Sequence, residues 1–259
     1  MSHDYSDKLL VTDMDGTLIE KNGNISEKNK AAIKEFISGG GLFTFATGRS
    51  QSVMRHFAKE VGANAPAILY NGGLLYDFSA DRVLEKHCID DSAETIIRKV
   101  AESMPDMAIE IHKDGEIYEY RENKYTEYHI NVVHFTPIYI TDPSEVAFPW
   151  MKIGFWFESD RYDALKSFVE PLCNEHIHFL RTHKYSAELV NVNADKGNLI
   201  CKLREMYNDR TIIACGDNEN DLLMLKNADN SYCPANAFDC AKKTAAHCLD
   251  SDCDHDFLS

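Results

Sequence analysis

No stretch of this 259-residue chain approaches the roughly 20 consecutive apolar residues that a membrane helix needs, so no membrane-spanning helix is expected. Basic residues are scarce: 27 Lys and Arg stand against 42 Asp and Glu, a formal charge of −15. Such a surface repels polyphosphate backbones and anionic membranes, so neither nucleic acid nor a membrane surface is an expected partner. A small phosphate compound remains admissible if positive charge is supplied locally. Cys-x-x-Cys pairs are missing. Cys88, Cys173, Cys201, Cys215, Cys233, Cys240, Cys248 and Cys253 are scattered through a chain long enough to bury a core without staples. They read as free thiols in a reducing compartment. Gly and Pro, with 13 and seven occurrences, are too few for a collagen-like or low-complexity chain. No internal repeat is visible. Met1 to Lys8 is polar and lacks the apolar centre of a signal peptide, which makes the cytoplasm the expected location.

What is present is an alternation of strands and helices. Lys8 to Thr12 is a short Leu- and Val-rich run that ends in Asp13-Met14-Asp15-Gly16-Thr17, a buried parallel strand entering a polar loop. Ser26 opens a capped helix that stops at Gly39 to Gly41. Leu42 to Ala46 reads as a strand, Ser50 to Val61 as a helix and Ala67 to Tyr70 as a third strand. This order predicts a doubly wound α/β sheet with its site at the carboxyl ends of the strands. From about Val83 the pattern changes. Met107–His112 and Glu116–Tyr120 flank Lys113-Asp114-Gly115, a hairpin signal. A strand at 152–157, a helix at 160–172 and strands at 178–181 and 187–190 follow. After Lys196 the first pattern resumes, with a helix at 197–207, a strand at 211–215 and a short helix at 222–226. The expected organisation is an α/β domain of residues 1–83 and 189–259, interrupted by an α+β domain of residues 84–188.

Three predicted strands end in polar signals: Asp13 to Thr17, Thr47-Gly48-Arg49, and Gly216-Asp217-Asn218-Glu219-Asn220-Asp221. The fold would bring Asp13, Asp15, Asp217 and Asp221 to one sheet edge. Two unit charges about 4 Å apart repel by about 4 kcal/mol at an effective dielectric of 20. A hard divalent cation with oxygen ligands relieves this, and Mg²⁺ fits because it keeps several waters and shares itself with phosphate.

Taken in order, Asp13-x-Asp15-Gly16-Thr17, Thr47-Gly48-Arg49, Lys196-Gly197 and Gly216-Asp217-x-x-Asn220-Asp221 resemble the four motifs of the haloacid dehalogenase superfamily of phosphohydrolases. The inserted domain resembles the large α/β cap of its Cof-type branch, and Asn71-Gly72 resembles a recurrent turn of that branch. The resemblance implies a Rossmann-like core and a cap that closes over the cleft, excludes water and selects the substrate. It implies that Asp13 is the nucleophile, a carboxylate already ionised at neutral pH, and that an aspartyl-phosphate forms on it. Asp15 would be the general acid and then the base, a role that needs a raised pKa, which neighbouring carboxylates could provide. Thr47, Gly48, Lys196 and Asn220 would contact the phosphate or substrate. Asp13, Asp217 and the main-chain carbonyl of Asp15 would hold Mg²⁺, with Asp221 in support.

The implied activity is Mg²⁺-dependent hydrolysis of small phosphorylated metabolites such as sugar phosphates. Transfer of the phosphoryl group to another hydroxyl, or metabolite binding without catalysis, are the alternatives. Blander readings stand beside several residues. Arg49 reads equally as a solvated surface arginine. Asp217 and Asp221 have the position to cap the helix at Leu222. Lys196 lies near a helix start, where a structural cation is electrostatically misplaced. Cys240, His247, Cys248, Cys253 and His255 match no zinc-binding spacing and read as thiols and solvated histidines. His176, His178 and His183 read as surface positions. Tyr118, Arg121, Tyr185 and Glu188 are equally cleft, surface or interface. The acidic run from Asp250 to Asp256 stands where the resembled family has a Gly-Val-Ala turn and a final helix. Oligomeric state is not legible, a monomer being compatible with the sequence.

Overall fold

The computed structural model describes residues 3–133 and 135–258. Met1 and Ser2 of the polar leading segment lie outside the described residues. Two compact units emerge, parting at Lys86/His87 and Ala194/Asp195, with Ser50–Val53 grouped with the second unit.

The first unit begins with strand β1 (Lys8–Thr12), helix α1 (Glu27–Ser38), strand β2 (Leu42–Phe45) and helix α2 (Gln51–Val61). Ser26 caps α1, its side chain accepting the Asn29 amide. Strand β3 (Ala67–Leu69) departs from the expected third member of the parallel sheet. It meets β2's extension through one parallel bridge, Ala46 to Ile68, and then turns back into antiparallel strands β4 (Leu74–Asp77) and β5 (Arg82–Lys86). The reversal is made by Tyr70, Asn71 and Gly72, all at positive φ. Asn and Gly tolerate that region, whereas an aromatic residue there is an outlier.

The second unit contains helix α3 (Ser92–Ser103), strands β6 (Ala108–Lys113) and β7 (Glu116–Arg121), helix α4 (Lys124–Val133) and strand β8 (Ile138–Tyr139). Strand β9 (Lys152–Trp156), helix α5 (Tyr162–Val169) and strands β10 (Ile177–His183) and β11 (Ser186–Asn191) complete it. Its sheet runs β10-β11-β9-β6-β7-β8, antiparallel except for β7 beside β8. Alternation sorts the two faces. Ile109, Ile111, Ile153, Phe155, Ala187 and Leu189 share a core with Ile96, Ile97 and Val100 of α3 and Leu165 and Val169 of α5. Burying each such large aliphatic side chain contributes about 1.5–3 kcal/mol. The predicted helix over 160–172 breaks into α5 flanked by short 3₁₀ turns, the second containing Pro171, which has no amide to continue the ladder.

The chain returns to the first unit with helix α6 (Lys196–Met206), strand β12 (Thr211–Cys215), helix α7 (Leu222–Asn227), strand β13 (Asn230–Cys233), helix α8 (Asp239–Thr244) and strand β14 (His247–Cys248). The sheet order is β14-β13-β12-β1-β2, all parallel. Strand β1 is thus an interior strand, and the next strands of this sheet in sequence, β2 and β12, lie on opposite sides of it. That reversal opens a crevice at the carboxyl end of β1. The architecture is the expected α/β core with an inserted α+β unit. Among the described residues no helix is long and apolar enough to cross a membrane.

The acidic tail folds back onto the start of α1. Asp254 accepts from the Lys21 amide and Nζ, Asp256 accepts from Ser26 Oγ and Lys28 Nζ, and the Leu258 amide donates to Asn29 Oδ1.

Candidate active site

Strand pairing places Asp13. Thr12 lies beside Cys215 in register, and the Asp13 amide donates to the Cys215 carbonyl at 2.8 Å, so the loops after β1 and β12 leave the sheet side by side. The β12 loop is closed by Asp221, whose Oδ2 accepts the Asp217 and Asn218 amides at 2.9 and 3.0 Å. Asp221 therefore caps the short 3₁₀ turn Glu219–Asp221 and makes no capping bond to α7. Thr17 Oγ1 donates to Asp217 Oδ1 at 3.2 Å. Gly16 sits between the loops at φ +85°. A Cβ there would lie 2.6 Å from Asp217 Oδ2, so both conformation and space require glycine.

Lys196 is the first residue of α6, directly after Asp195, whose side chain caps the helix through the Gly197 amide. The reason for its misplacement is now visible. Its buried Nζ donates to Asp13 Oδ1 and to Asp221 Oδ1, each at 2.7 Å. Burial alone would lower its pKa, but the two carboxylates raise it above the ordinary lysine value, so the cation persists.

Oxygens of Asp13, Asp217 and Asp221 lie within 4.8 Å of one another, all three residues buried. One lysine does not balance three carboxylates. Burial drives the Asp13 pKa well above its usual range, Lys196 opposes this, and Asp221 and Asp217 add to the rise. Burial and Asp221 push Asp217 up to about 7. The donor set is all oxygen and short of positive charge, which suits a hard divalent cation. Both Asp221 oxygens are already engaged, by Lys196 and by two amides, whereas Asp13 and Asp217 retain acceptor capacity.

Asp15 is not among the three carboxylates that lie within 4.8 Å of one another, but its charge adds to the rise at Asp13 and at Asp217. The Arg49 guanidinium grips Asp15 twice, Nε to Oδ2 at 2.9 Å and Nη2 to Oδ1 at 2.6 Å. The Asp15 side chain is 53 % exposed and that of Arg49 only 7 %. Arg49 is therefore no solvated surface residue; its other side lies over the Phe57 ring.

Thr47 is buried, and its Oγ1 accepts the Arg49 amide at 3.2 Å, leaving the hydroxyl proton to donate. Gly48 faces the Asn71 amide, where an added Cβ would come within 3.1 Å. Asn220 Nδ2 donates to Asn71 Oδ1 at 3.0 Å, which ties the β12 loop to the positive-φ turn. Asn236 went unnoticed in the sequence. Its Nδ2 donates to the Gly16 carbonyl at 2.7 Å, and the Phe238 amide donates to the Asp217 carbonyl at 2.9 Å, so the loop after β13 braces both acidic loops.

The other candidates are also placed. Tyr118 packs toward the apolar core of the second unit, Arg121 is exposed, Tyr185 stacks on Tyr125, and Glu188 is buried and ion-paired with Lys152. His176, His178 and His183 are exposed. All eight cysteines are free thiols.

Residues 10–256 match the family described as haloacid dehalogenase-like hydrolase. The chain is 25% identical over 256 residues to the Bacillus subtilis 5-amino-6-(5-phospho-D-ribitylamino)uracil phosphatase YcsE, covering 96% of this chain and 92% of that protein. It is 23% identical over 258 residues to the HMP-PP phosphatase of Klebsiella pneumoniae, covering 97% and 93%. A haloacid dehalogenase-like hydrolase from Bacteroides thetaiotaomicron superposes with a TM-score of 0.88 at 22% identity, over 97% of this chain and 96% of that one.

Proposed function

Because the chain belongs to the haloacid dehalogenase-like hydrolases, we propose that it hydrolyses phosphate monoesters of small metabolites through a covalent phosphoryl group on Asp13. An Asp13 oxygen attacks phosphorus and the ester P–O bond breaks. Asp15 gives its proton to the departing alkoxide. A water then attacks the aspartyl-phosphate, Asp15 takes a proton from it, and the bond to Asp13 breaks to release inorganic phosphate. Thr47, Gly48, Lys196 and Asn220 hold the phosphoryl oxygens. Lys196 also orients Asp13, while Arg49 holds Asp15 until substrate displaces it. Asp13, Asp217 and the Asp15 carbonyl would hold Mg²⁺, with Asp221 fixing the loop; the ion offsets phosphate charge when bound. The relatives' names point to small phosphorylated compounds as the substrate class.

The observation that carries this reading is the single buried ammonium shared between Asp13 and Asp221, with Asp217 beside them and charge left uncompensated. The test is phosphate release from a broad panel of phosphate monoesters, with and without Mg²⁺. The reading requires Mg²⁺-dependent release from at least one ester class. A folded protein that binds Mg²⁺ yet releases no phosphate from any of them would overturn it.

A further inference from the structure

Two thiols sit at the edge of the parallel sheet. Cys233, the last residue of β13, and Cys248, the last of β14, are register partners on adjacent parallel strands. Their sulfurs are 3.1 Å apart. Cys233 is fully buried, whereas Cys248 is exposed. A disulfide has an S–S bond of about 2.05 Å, so the sulfurs need to approach by about 1 Å, less than a rotamer change supplies. The strand pairing holds them: the Leu249 amide donates to the Cys233 carbonyl at 2.9 Å.

We propose that Cys233 and Cys248 form a reversible dithiol–disulfide site that reacts with hydroperoxides, Cys248 first and Cys233 as the resolving thiol. The order follows from access, because only Cys248 meets solvent. Burial and the Cys248 contact also push the Cys233 thiol up to about 12, which leaves it protonated and slow to react on its own. The Cys248 thiolate attacks one peroxide oxygen, the O–O bond breaks, and a sulfenic acid and an alcohol (water from hydrogen peroxide) result. The Cys233 sulfur then attacks the sulfenic sulfur, the S–S bond forms, the S–O bond breaks, and the hydroxyl leaves as water with the Cys233 proton. Two thiols lose two electrons and the hydroperoxide gains two.

The bond would close the segment that carries the braces of the acidic loops. Asn236, three residues after Cys233, holds the Gly16 carbonyl, and Phe238 holds the Asp217 carbonyl. Oxidation would therefore stiffen this segment.

The experiment uses the full-length reduced protein treated with a small excess of hydrogen peroxide, followed by alkylation and tryptic mapping. Cys233 lies in the tryptic peptide 227–242 with Cys240, and Cys248 in 244–259 with Cys253. The proposal expects these peptides to be joined with the loss of two hydrogens, in wild type and in C240S and C253S, but not in C248S. Dithiothreitol must reverse the link, and the oxidised wild type must melt higher than the reduced form, with no such shift in C248S. A link that survives in C248S, or Cys248 ending as sulfinic acid with Cys233 alkylatable, overturns it.

Discussion

Lys196 in the first unit and Lys152 in the second are both buried ammonium groups among buried acids, yet their surroundings differ. Around Lys196 stand Asp13, Asp217 and Asp221, and the charge does not close. Around Lys152 the polar face of the second sheet closes its own charge. Lys152 pairs with Glu188. Glu110 accepts from the rings of His129 at 2.7 Å and His112 at 3.2 Å. Burial resists ionisation of Glu110, but His129 and His112 bring its pKa below the ordinary value. Glu119, the cross-strand partner of Glu110, is buried beside it. Burial and the Glu110 charge push it up to about 10, so it stays neutral. One cluster thus gathers three carboxylates around one ammonium, and the other pairs its ammonium with a single carboxylate and keeps Glu119 neutral. Buried carboxylates mark a site when their charge is left open, not when it is merely buried.

The comparison is broken most directly at Asp13. Asp13→Asn removes the nucleophile at constant size, and phosphate release is expected to vanish while the circular dichroism spectrum is unchanged. Near-normal turnover in this variant would mean that the open cluster is not where phosphorus is attacked. Asp15→Asn should lower turnover by roughly 10²–10⁴-fold, the usual contribution of general acid–base catalysis. A loss confined to KM would instead make Asp15 a binding residue held by Arg49. The demand for a cation is tested by thermal unfolding. Mg²⁺ should raise the melting temperature of the wild type, by an amount that grows with concentration above Kd. Asp217→Asn should lose most of that gain, whereas Glu110→Gln in the closed cluster should keep it. An equal Mg²⁺ response in wild type and Asp217→Asn would place the cation elsewhere.

The open cluster was the more legible of the two. Asp13 and Asp217 announce themselves because each follows the end of a strand, and Lys196 because it opens a helix; parallel pairing carries the strand ends to one edge. What remained hidden depends on contacts that no local pattern encodes. Arg49 looks like any arginine after a Gly; only the turn that buries it beside Phe57 sends its guanidinium to Asp15. Asn236 reaches Gly16 across 220 residues of sequence. In the second unit, Glu110, His112 and Glu119 each read as an ordinary outward position on a half-buried strand. Glu110 is met there by His129 of helix α4, whose ring also lies against Trp156. Helix α3 does carry a signal in the sequence, with Ala93, Ile96, Ile97, Val100 and Ala101 at helical spacing.

The closed cluster makes the smallest and most pH-specific prediction. Glu119 holds its proton up to about 10 in the folded chain and releases it near 4.5 when unfolded. Between those values the folded state carries a proton that the unfolded state has lost, so this group's contribution to stability falls as pH rises. Glu119→Gln keeps the shape and neutrality of the protonated acid and has no proton to lose. In urea unfolding the variant should match the wild type near pH 5 and gain on it toward pH 9, by at most about 1.4 kcal/mol per pH unit. Parallel pH profiles for the two proteins would mean that Glu119 ionises in place. The polar face of the second sheet would then carry open charge of its own, as the cluster around Lys196 does.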